Sequence, residues 1–190
     1  TLPGIQLKPV EGTILDGWLY READAAIHAY VASQISAGFG DKRECADSYR
    51  ELLIGALGQI SKVILPERLK YRRNGDLDEL ISKTMPTIQL ILMFAADLLG
   101  HCHGSGEPLF DEGGELKEAL ETNGLEKWLP IFAADLERFS RRLGAWGSFD
   151  EFLVFNIHVE RLLWQVGIIP WLDGETLMLE VPLQSDAEQL

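Results

Sequence analysis

The stretch IQLILMFAADLL, Ile88–Leu99, decides the fold because it is apolar on nearly every side of a helix. Only Gln89 and Asp97 interrupt it. A helix of this kind needs cover around most of its circumference, so we expect it to lie at the centre of the protein. It is far shorter than the ~20 apolar residues that a membrane span needs, so no membrane partner is predicted.

Helical spacing of apolar residues continues on both sides of this stretch. Before it, we predict one helix over about 16–36 and a second from the cap residue Asp41 to about Leu65. A third helix starts at Asp76, and Pro86 is expected to break or restart it. Gly100 then follows the apolar run and is a natural C-cap.

The second predicted helix contains two glycines. Gly55 and Gly58 are each unfavourable inside a helix by about 1 kcal/mol relative to alanine, so we expect them to permit a close helix crossing. The predicted buried face of this helix consists of Leu52, Leu53, Ala56, Leu57, Ile60, Val63 and Ile64.

Three more helices are predicted after the central stretch, over about 115–121, 125–143 and 148–166. Ser148 and Glu151 form a capping box that opens the last one. On a helical wheel of this last predicted helix, His158 lies on a polar face and Trp164 on the apolar arc. Asn156 and Glu160 fall inside that apolar arc, one turn apart.

The chain then changes character in GIIPWLDGETLMLEV, residues 167–181. Asp173-Gly174 separates two apolar runs and is a preferred hairpin turn, so residues 168–172 should pair with 175–181. Pro170 should lie where the ladder does not need its missing N–H group. The fold class is therefore mainly α: a compact bundle of five or six helices with a C-terminal β-hairpin, with a third strand from residues 4–10 as an alternative.

The predicted organisation is a single domain over residues 1–190. It comprises an extended N-terminal segment (1–14), a helical bundle (15–166), a β-hairpin (167–182) and a mobile tail (183–190). The two cysteines make no disulfide framework, which favours a cytoplasmic location.

The formal net charge of −13 disfavours nucleic acid as a partner, because an acidic surface repels phosphates. It favours another protein, one with a basic surface. The exception is the segment 62–73, which carries five bases and one acid and is expected to be a basic connector. Tyr71, Arg72 and Arg73 in this segment are candidate binding residues.

The cluster His101-Cys102-His103 follows Gly100 and raises the question of a metal site. Adjacent residues supply two ligands at most, and the chain has no second cysteine–histidine pair. Histidines at a helix C-terminus also interact favourably with its dipole. We therefore predict no metal and no cofactor, and keep His101, Cys102 and His103 as weak metal candidates.

Asn156 and Glu160 are the polar residues that the helical pattern does not explain. A buried carboxylate must be paired or protonated, so we expect Glu160 to be mostly buried and paired with a cation or another hydrogen-bond donor. The candidate cations are Arg50, Arg141 and Arg142. The alternative is that Asn156 and Glu160 form the polar floor of a cleft.

These features predict a non-enzymatic, acidic helical protein–protein interaction domain, such as an adaptor, regulator, inhibitor or immunity-type protein. Interfaces concentrate aromatic residues, so Trp146, Trp171 and Tyr71 are its candidate anchors. One alternative is a helical enzyme or small-ligand-binding domain around Glu160 and Asn156. A second is a metal-responsive protein that uses His101 and His103.

Overall fold

The computed structural model describes residues 12–111, 113–148 and 150–182. Within these residues the protein is mainly α with a C-terminal antiparallel hairpin, as the sequence predicts. The alternative third strand in residues 4–10 and the tail 183–190 lie outside them. The helices are α1 (Ile14–Ser36), α2 (Lys42–Leu57), α3 (Leu65–Asn74), α4 (Leu77–Ser105), α5 (Glu115–Thr122), α6 (Trp128–Ser140), α7 (Asp150–Leu153) and α8 (Asn156–Gln165), and the strands are β1 (Ile169–Asp173) and β2 (Thr176–Glu180).

The apolar stretch Ile88–Leu99 forms the middle of α4, which is the central helix of the bundle. Helices α1, α2, α3, α6 and α8 all pack against α4. Contrary to the prediction, Pro86 does not break or restart this helix. Pro86 is exposed, whereas Met85 and Thr87 on either side are buried, so packing keeps the helix continuous across the missing hydrogen bond.

By length and composition alone, α4 is apolar enough to cross a membrane. In this fold 67% of its most apolar window is buried inside the protein, as in the core helix of a folded domain. The companion helices thus provide the cover that the sequence pattern demands.

Helices α1 and α4 approach closely at two glycines of α4. A Cβ atom built on Gly100 would lie less than 3.0 Å from the carbonyl oxygen of Tyr30, and one on Gly104 equally close to that of Gln34. At both glycines the backbone of α4 therefore lies directly against the backbone of α1. We call this contact the α1–α4 crossing. Gly100 is a packing residue inside α4 and does not cap it as predicted. The C-cap is Gly106, in a left-handed conformation with φ 80°.

The predicted basic connector is in fact helical. A π-helical turn, Ile60–Ile64, follows α2 and leads directly into α3. Pro66 sits in the first turn of α3, where a backbone N–H has no helical acceptor, so proline does not stop the helix there.

The predicted helix over 148–166 is interrupted. Helix α7 ends at Leu153, and α8 begins at Asn156 after a turn. The interruption changes the phase of the helical wheel. His158, predicted on a polar face, is completely buried, and Trp164, predicted on the apolar arc, is exposed.

The hairpin has the predicted strands and a turn shifted by one residue. Asp173 pairs with Thr176, so Gly174 and Glu175 form the turn. Gly174 has φ 61°, and no non-glycine residue in the described ranges has positive φ, which matches a type II′ turn. Hydrogen-bonded and non-hydrogen-bonded pairs alternate along a hairpin. Counted from the turn, Pro170 opposite Leu179 falls on a non-hydrogen-bonded pair, as predicted.

Candidate functional site

A groove of about 860 Å³ lies between α2 and α4 and is the main candidate site. Leu52 from α2 and Leu90 and Phe94 from α4 give it apolar walls. Leu52 is 45% exposed and Leu90 is 39% exposed, while Phe94 is half-buried. We call this surface the α2–α4 groove.

Gly55 keeps the α2–α4 groove open. A Cβ atom built on Gly55 would have no heavy atom within 4 Å outside its own helical neighbourhood. The prediction that Gly55 and Gly58 permit a close helix crossing is therefore wrong. Both are exposed, and the nearest atoms to a Cβ on Gly58 are carbonyl oxygens of α2 itself.

The α2 edge of the α2–α4 groove is acidic. Glu51 is the only charged residue among the described residues that line the groove. Glu44 lies seven residues earlier on α2, so it shares the same helix face, and it is also exposed. A ligand that lies in this groove meets apolar walls and negative charge along one edge.

The sequence pattern does not reveal this groove, because the buried face that it predicts for α2 is too broad. Leu52 and Leu53 are adjacent and point about 100° apart on a helix. Leu53 is fully buried, and Leu52 faces outward, contrary to the prediction. Leu52 shares its helix face with Ser48, Gly55 and Gln59, at i−4, i+3 and i+7, and these polar or small neighbours are the signal that could have separated the groove-lining face from the buried one.

The His101-Cys102-His103 cluster lies within α4, and its side chains diverge. His101 is buried, and its Nε2 atom lies 2.8 Å from the carbonyl oxygen of Lys42. The Nδ1 atom of His103 lies 2.7 Å from the hydroxyl of Tyr30. These contacts attach α4 to α2 and to α1, so the histidines contribute to packing. His103 also lies in the last turn of α4, where a histidine interacts favourably with the helix dipole, as predicted.

The third member of the cluster, Cys102, is buried. Its thiol donates to the carbonyl oxygen of Pro108 at 3.6 Å. Burial raises the pKa of Cys102 to about 11, so the thiol stays protonated at neutral pH. Within the described ranges, no three histidine, cysteine, aspartate or glutamate side chains form a group that could hold a metal ion.

Asn156 is buried as its place on the wheel predicts. Its Nδ2 group donates to the carbonyl oxygen of Asp16 at 3.0 Å, which ties α8 to the start of α1. Its Oδ1 atom has no hydrogen-bond donor in the described part of the chain.

Glu160 departs from its prediction. It is only half-buried, and no ion pair or hydrogen bond to it is found in the described ranges. Burial raises its pKa, and the negative charge of Asp16 raises it further. The three candidate cations are engaged elsewhere: Arg50 pairs with Asp47, Arg141 with Glu137, and Arg142 with Glu151.

The candidates in the basic segment lie on α3, and two of them hold the hairpin. The Tyr71 hydroxyl donates to the carbonyl oxygen of Leu179 at 3.4 Å, and Arg72 donates to the carbonyl oxygen of Pro182. Arg73 is exposed. These contacts give Tyr71 and Arg72 a structural role, whatever else they bind.

The three candidate aromatic anchors do not behave alike. Trp146 is half-buried and stacks on Phe139 with ring centroids 4.5 Å apart. Tyr71 is half-buried against the hairpin, and Trp171 alone of the three is exposed. Trp164, which the helical pattern places on the apolar arc, is exposed like Trp171.

The buried His158 pairs with the partly buried Asp135, and the sequence pattern does not predict this contact. Nε2 of His158 lies 2.9 Å from Oδ2 of Asp135, and its ring packs on Phe132. Burial lowers the pKa of His158, although Asp135 opposes this shift. The shift favours the neutral ring, and in that form an Nε2–H group would donate to the Asp135 carboxylate. The pair joins α6 to α8. A continuous helix over 148–166 would place His158 on a polar face, and the break before α8 turns it inward instead.

Comparisons with protein-family models, with curated proteins and with solved structures found no match. The chain is therefore assigned to no family. Its own surfaces are the basis for a functional proposal.

Proposed function

We propose that this protein is a non-enzymatic, acidic helical protein–protein interaction domain of the adaptor, regulator, inhibitor or immunity type. The α2–α4 groove is the observation that supports this function. Helix-in-groove recognition needs an apolar channel that accepts side chains at helical spacing. Leu52, Leu90 and Phe94 offer the apolar walls, and the open space at Gly55 offers room.

The charge of the groove and of the whole chain favours a partner with a basic surface. Glu51 and Glu44 would lie beside the bound segment. The net charge of −13 would also accelerate the encounter with a basic partner, because complementary fields steer association. The expected partner element is an amphipathic helix with apolar residues on one face and lysine or arginine at its edge.

The two alternative functions have less support. A ligand site around Glu160 and Asn156 would draw on the unpartnered Oδ1 atom of Asn156 and the raised pKa of Glu160. Neither residue lines the α2–α4 groove. A metal-responsive function would draw on His101 and His103, whose ring nitrogens already contact Lys42 and Tyr30. A cytoplasmic location, and the absence of nucleic-acid and membrane partners, stay predictions.

Affinity capture from the native host with three baits tests the proposed function. The baits are the wild type, Gly55→Gln, which places a side chain in the groove, and Gly17→Gln as the matched control. Gly17 and Gly55 are both exposed helical glycines with open space at the Cβ position, so both changes add the same neutral side chain without a clash. We expect at least one protein to be retained by the wild type and by Gly17→Gln and lost from Gly55→Gln.

The identity of the captured protein gives a second check. It should contain an amphipathic helix with basic edges, and that helix as an isolated peptide should bind the wild type. If all three baits retain the same proteins in the same amounts, the α2–α4 groove is not the interaction site and the proposed function loses its support.

A further inference from the structure

A second depression, of about 440 Å³, lies between α6 and α8 and differs in charge from the α2–α4 groove. Its exposed apolar residues are Ile131 from α6 and Trp164 from α8, which are 43% and 53% exposed. Its charged lining residues are Lys127 and Arg161, and no acidic residue lines it within the described ranges. We call this surface the α6–α8 site.

The two cations of the α6–α8 site lack ion pairs within the described part of the chain. Several other cations of the described residues have carboxylate partners, whereas the charges of Lys127 and Arg161 are not offset in this way. The paired cations include Arg21, Arg50, Lys70, Lys117, Arg138, Arg141 and Arg142. Two uncompensated positive charges beside exposed apolar side chains attract an anionic group that is itself attached to an apolar one.

Trp128 adds an independent observation. Its side chain lines the same site, it is almost fully buried, and its indole Nε1–H has no acceptor among the described residues. A buried donor without an acceptor is costly, and tryptophan N–H groups usually find a partner when buried. A carboxylate held by Lys127 and Arg161 would bring an acceptor to the lining that contains Trp128.

The apolar surface continues from the α6–α8 site along α8. Ile157 and Trp164 are seven residues apart and share a helix face with Arg161, and Ile157 is exposed as well. An inorganic anion would leave this apolar track uncovered, whereas a peptide would cover it. We therefore infer that the α6–α8 site binds an acidic amphipathic peptide segment of a partner protein, with carboxylates at Lys127 and Arg161 and apolar side chains on Ile131, Ile157 and Trp164.

This inference goes beyond the proposed function and does not depend on the α2–α4 groove. Two synthetic helical peptides test it, both with leucines on one face and with either glutamates or lysines on the other. Binding is measured by fluorescence anisotropy of the labelled peptide at physiological salt, where the Debye length of about 8 Å limits general repulsion by the acidic protein. We expect the glutamate peptide to bind and Gly55→Gln to leave its affinity unchanged.

Charge reversal identifies the site. Lys127→Glu combined with Arg161→Glu should weaken the glutamate peptide about tenfold or more, because two attractions become repulsions. Lys62→Glu combined with Lys83→Glu is the matched control. Those lysines are exposed, as Lys127 is, and lie outside the α6–α8 site, and the pair changes the net charge equally. It should have little effect.

Trp164→Ala tests the apolar part and should weaken the same peptide about tenfold or more, as for an interface anchor. Trp171→Ala removes another exposed tryptophan and should not. The inference is overturned if the glutamate peptide does not bind, if the control pair weakens it as much as the site pair, or if Gly55→Gln abolishes its binding. It is also overturned if poly(U) RNA binds more tightly than the peptide, since the site would then recognise polyanions.

Discussion

Helix α4 meets α1 on one side and α2 on another, and these two contacts differ in how closely the backbones approach. At the α1–α4 crossing, Gly100 and Gly104 have no room for a Cβ atom. At the α2–α4 groove, Gly55 faces open space and Leu90 stays exposed. Glycine thus has opposite consequences at the two contacts. The α1–α4 crossing is tightly packed within the chain, whereas the α2–α4 groove leaves apolar side chains that a partner could cover.

We expect the largest effect in this comparison from Gly100→Ala. The added methyl group would overlap the carbonyl oxygen of Tyr30, and backbone cannot move aside as a flexible side chain can. Overpacking of this kind should lower the free energy of unfolding by about 3 kcal/mol. Urea denaturation of the variant and the wild type measures the difference. An unchanged midpoint would mean that α1 and α4 lie further apart than described.

A smaller effect of opposite sign is expected from Gly55→Ala. The new methyl group meets nothing, and alanine is a better helix former than glycine by about 1 kcal/mol. Urea denaturation should therefore show a gain of about 0.5–1 kcal/mol. Gly17→Ala in α1 should give a similar gain. Loss of stability on Gly55→Ala alone would show that α2 is packed on the side that we describe as open.

The smallest effect should come from Asp97→Asn, which removes a charge from the α1–α4 crossing. The Ser33 hydroxyl donates to Oδ1 of Asp97 at 2.6 Å, and burial raises the pKa of this carboxyl above its usual 3.8. The folded state therefore keeps a proton that the unfolded chain loses first. Ionisation of Asp97 destabilises the wild type as the pH rises above 3.8.

The asparagine of this variant has no such proton to lose, and its amide oxygen can still accept from Ser33. The stability of the variant relative to the wild type should therefore increase as the pH rises from 3.8, and level off above the raised pKa. Urea denaturation at a series of pH values checks this. A difference that stays constant, or that falls with rising pH, would contradict the burial of Asp97.

The sequence predicted the elements whose patterns have one interpretation. The all-round apolar character of Ile88–Leu99 required a central helix, and Asp173-Gly174 between apolar runs required a hairpin. The predictions from the sequence failed where one residue type fits two structural roles. Gly100 fits a helix C-cap as well as a helix crossing, and only the position of α1 distinguishes them.

The candidate site was harder to predict because grooves arise between elements. Leu90 and Phe94 are apolar residues of the most apolar helix, so nothing local marks them as exposed. Only the path of α2 leaves them uncovered. The break before Asn156 similarly reverses the environments of His158 and Trp164, and no glycine or proline announces it.

The contacts of α1 also affect the way this protein is made. The first helix packs against α4, α6, α7 and α8 and against both strands of the hairpin. A chain leaves the ribosome from its N-terminus at about 5–20 residues per second. During that time the apolar face of α1 is covered in stages, first and mostly by α4 and later by α6, α7, α8 and the hairpin. The contacts of α1 are therefore completed only when β2 has emerged, and until then part of its apolar face stays exposed, the kind of surface at which a nascent chain aggregates.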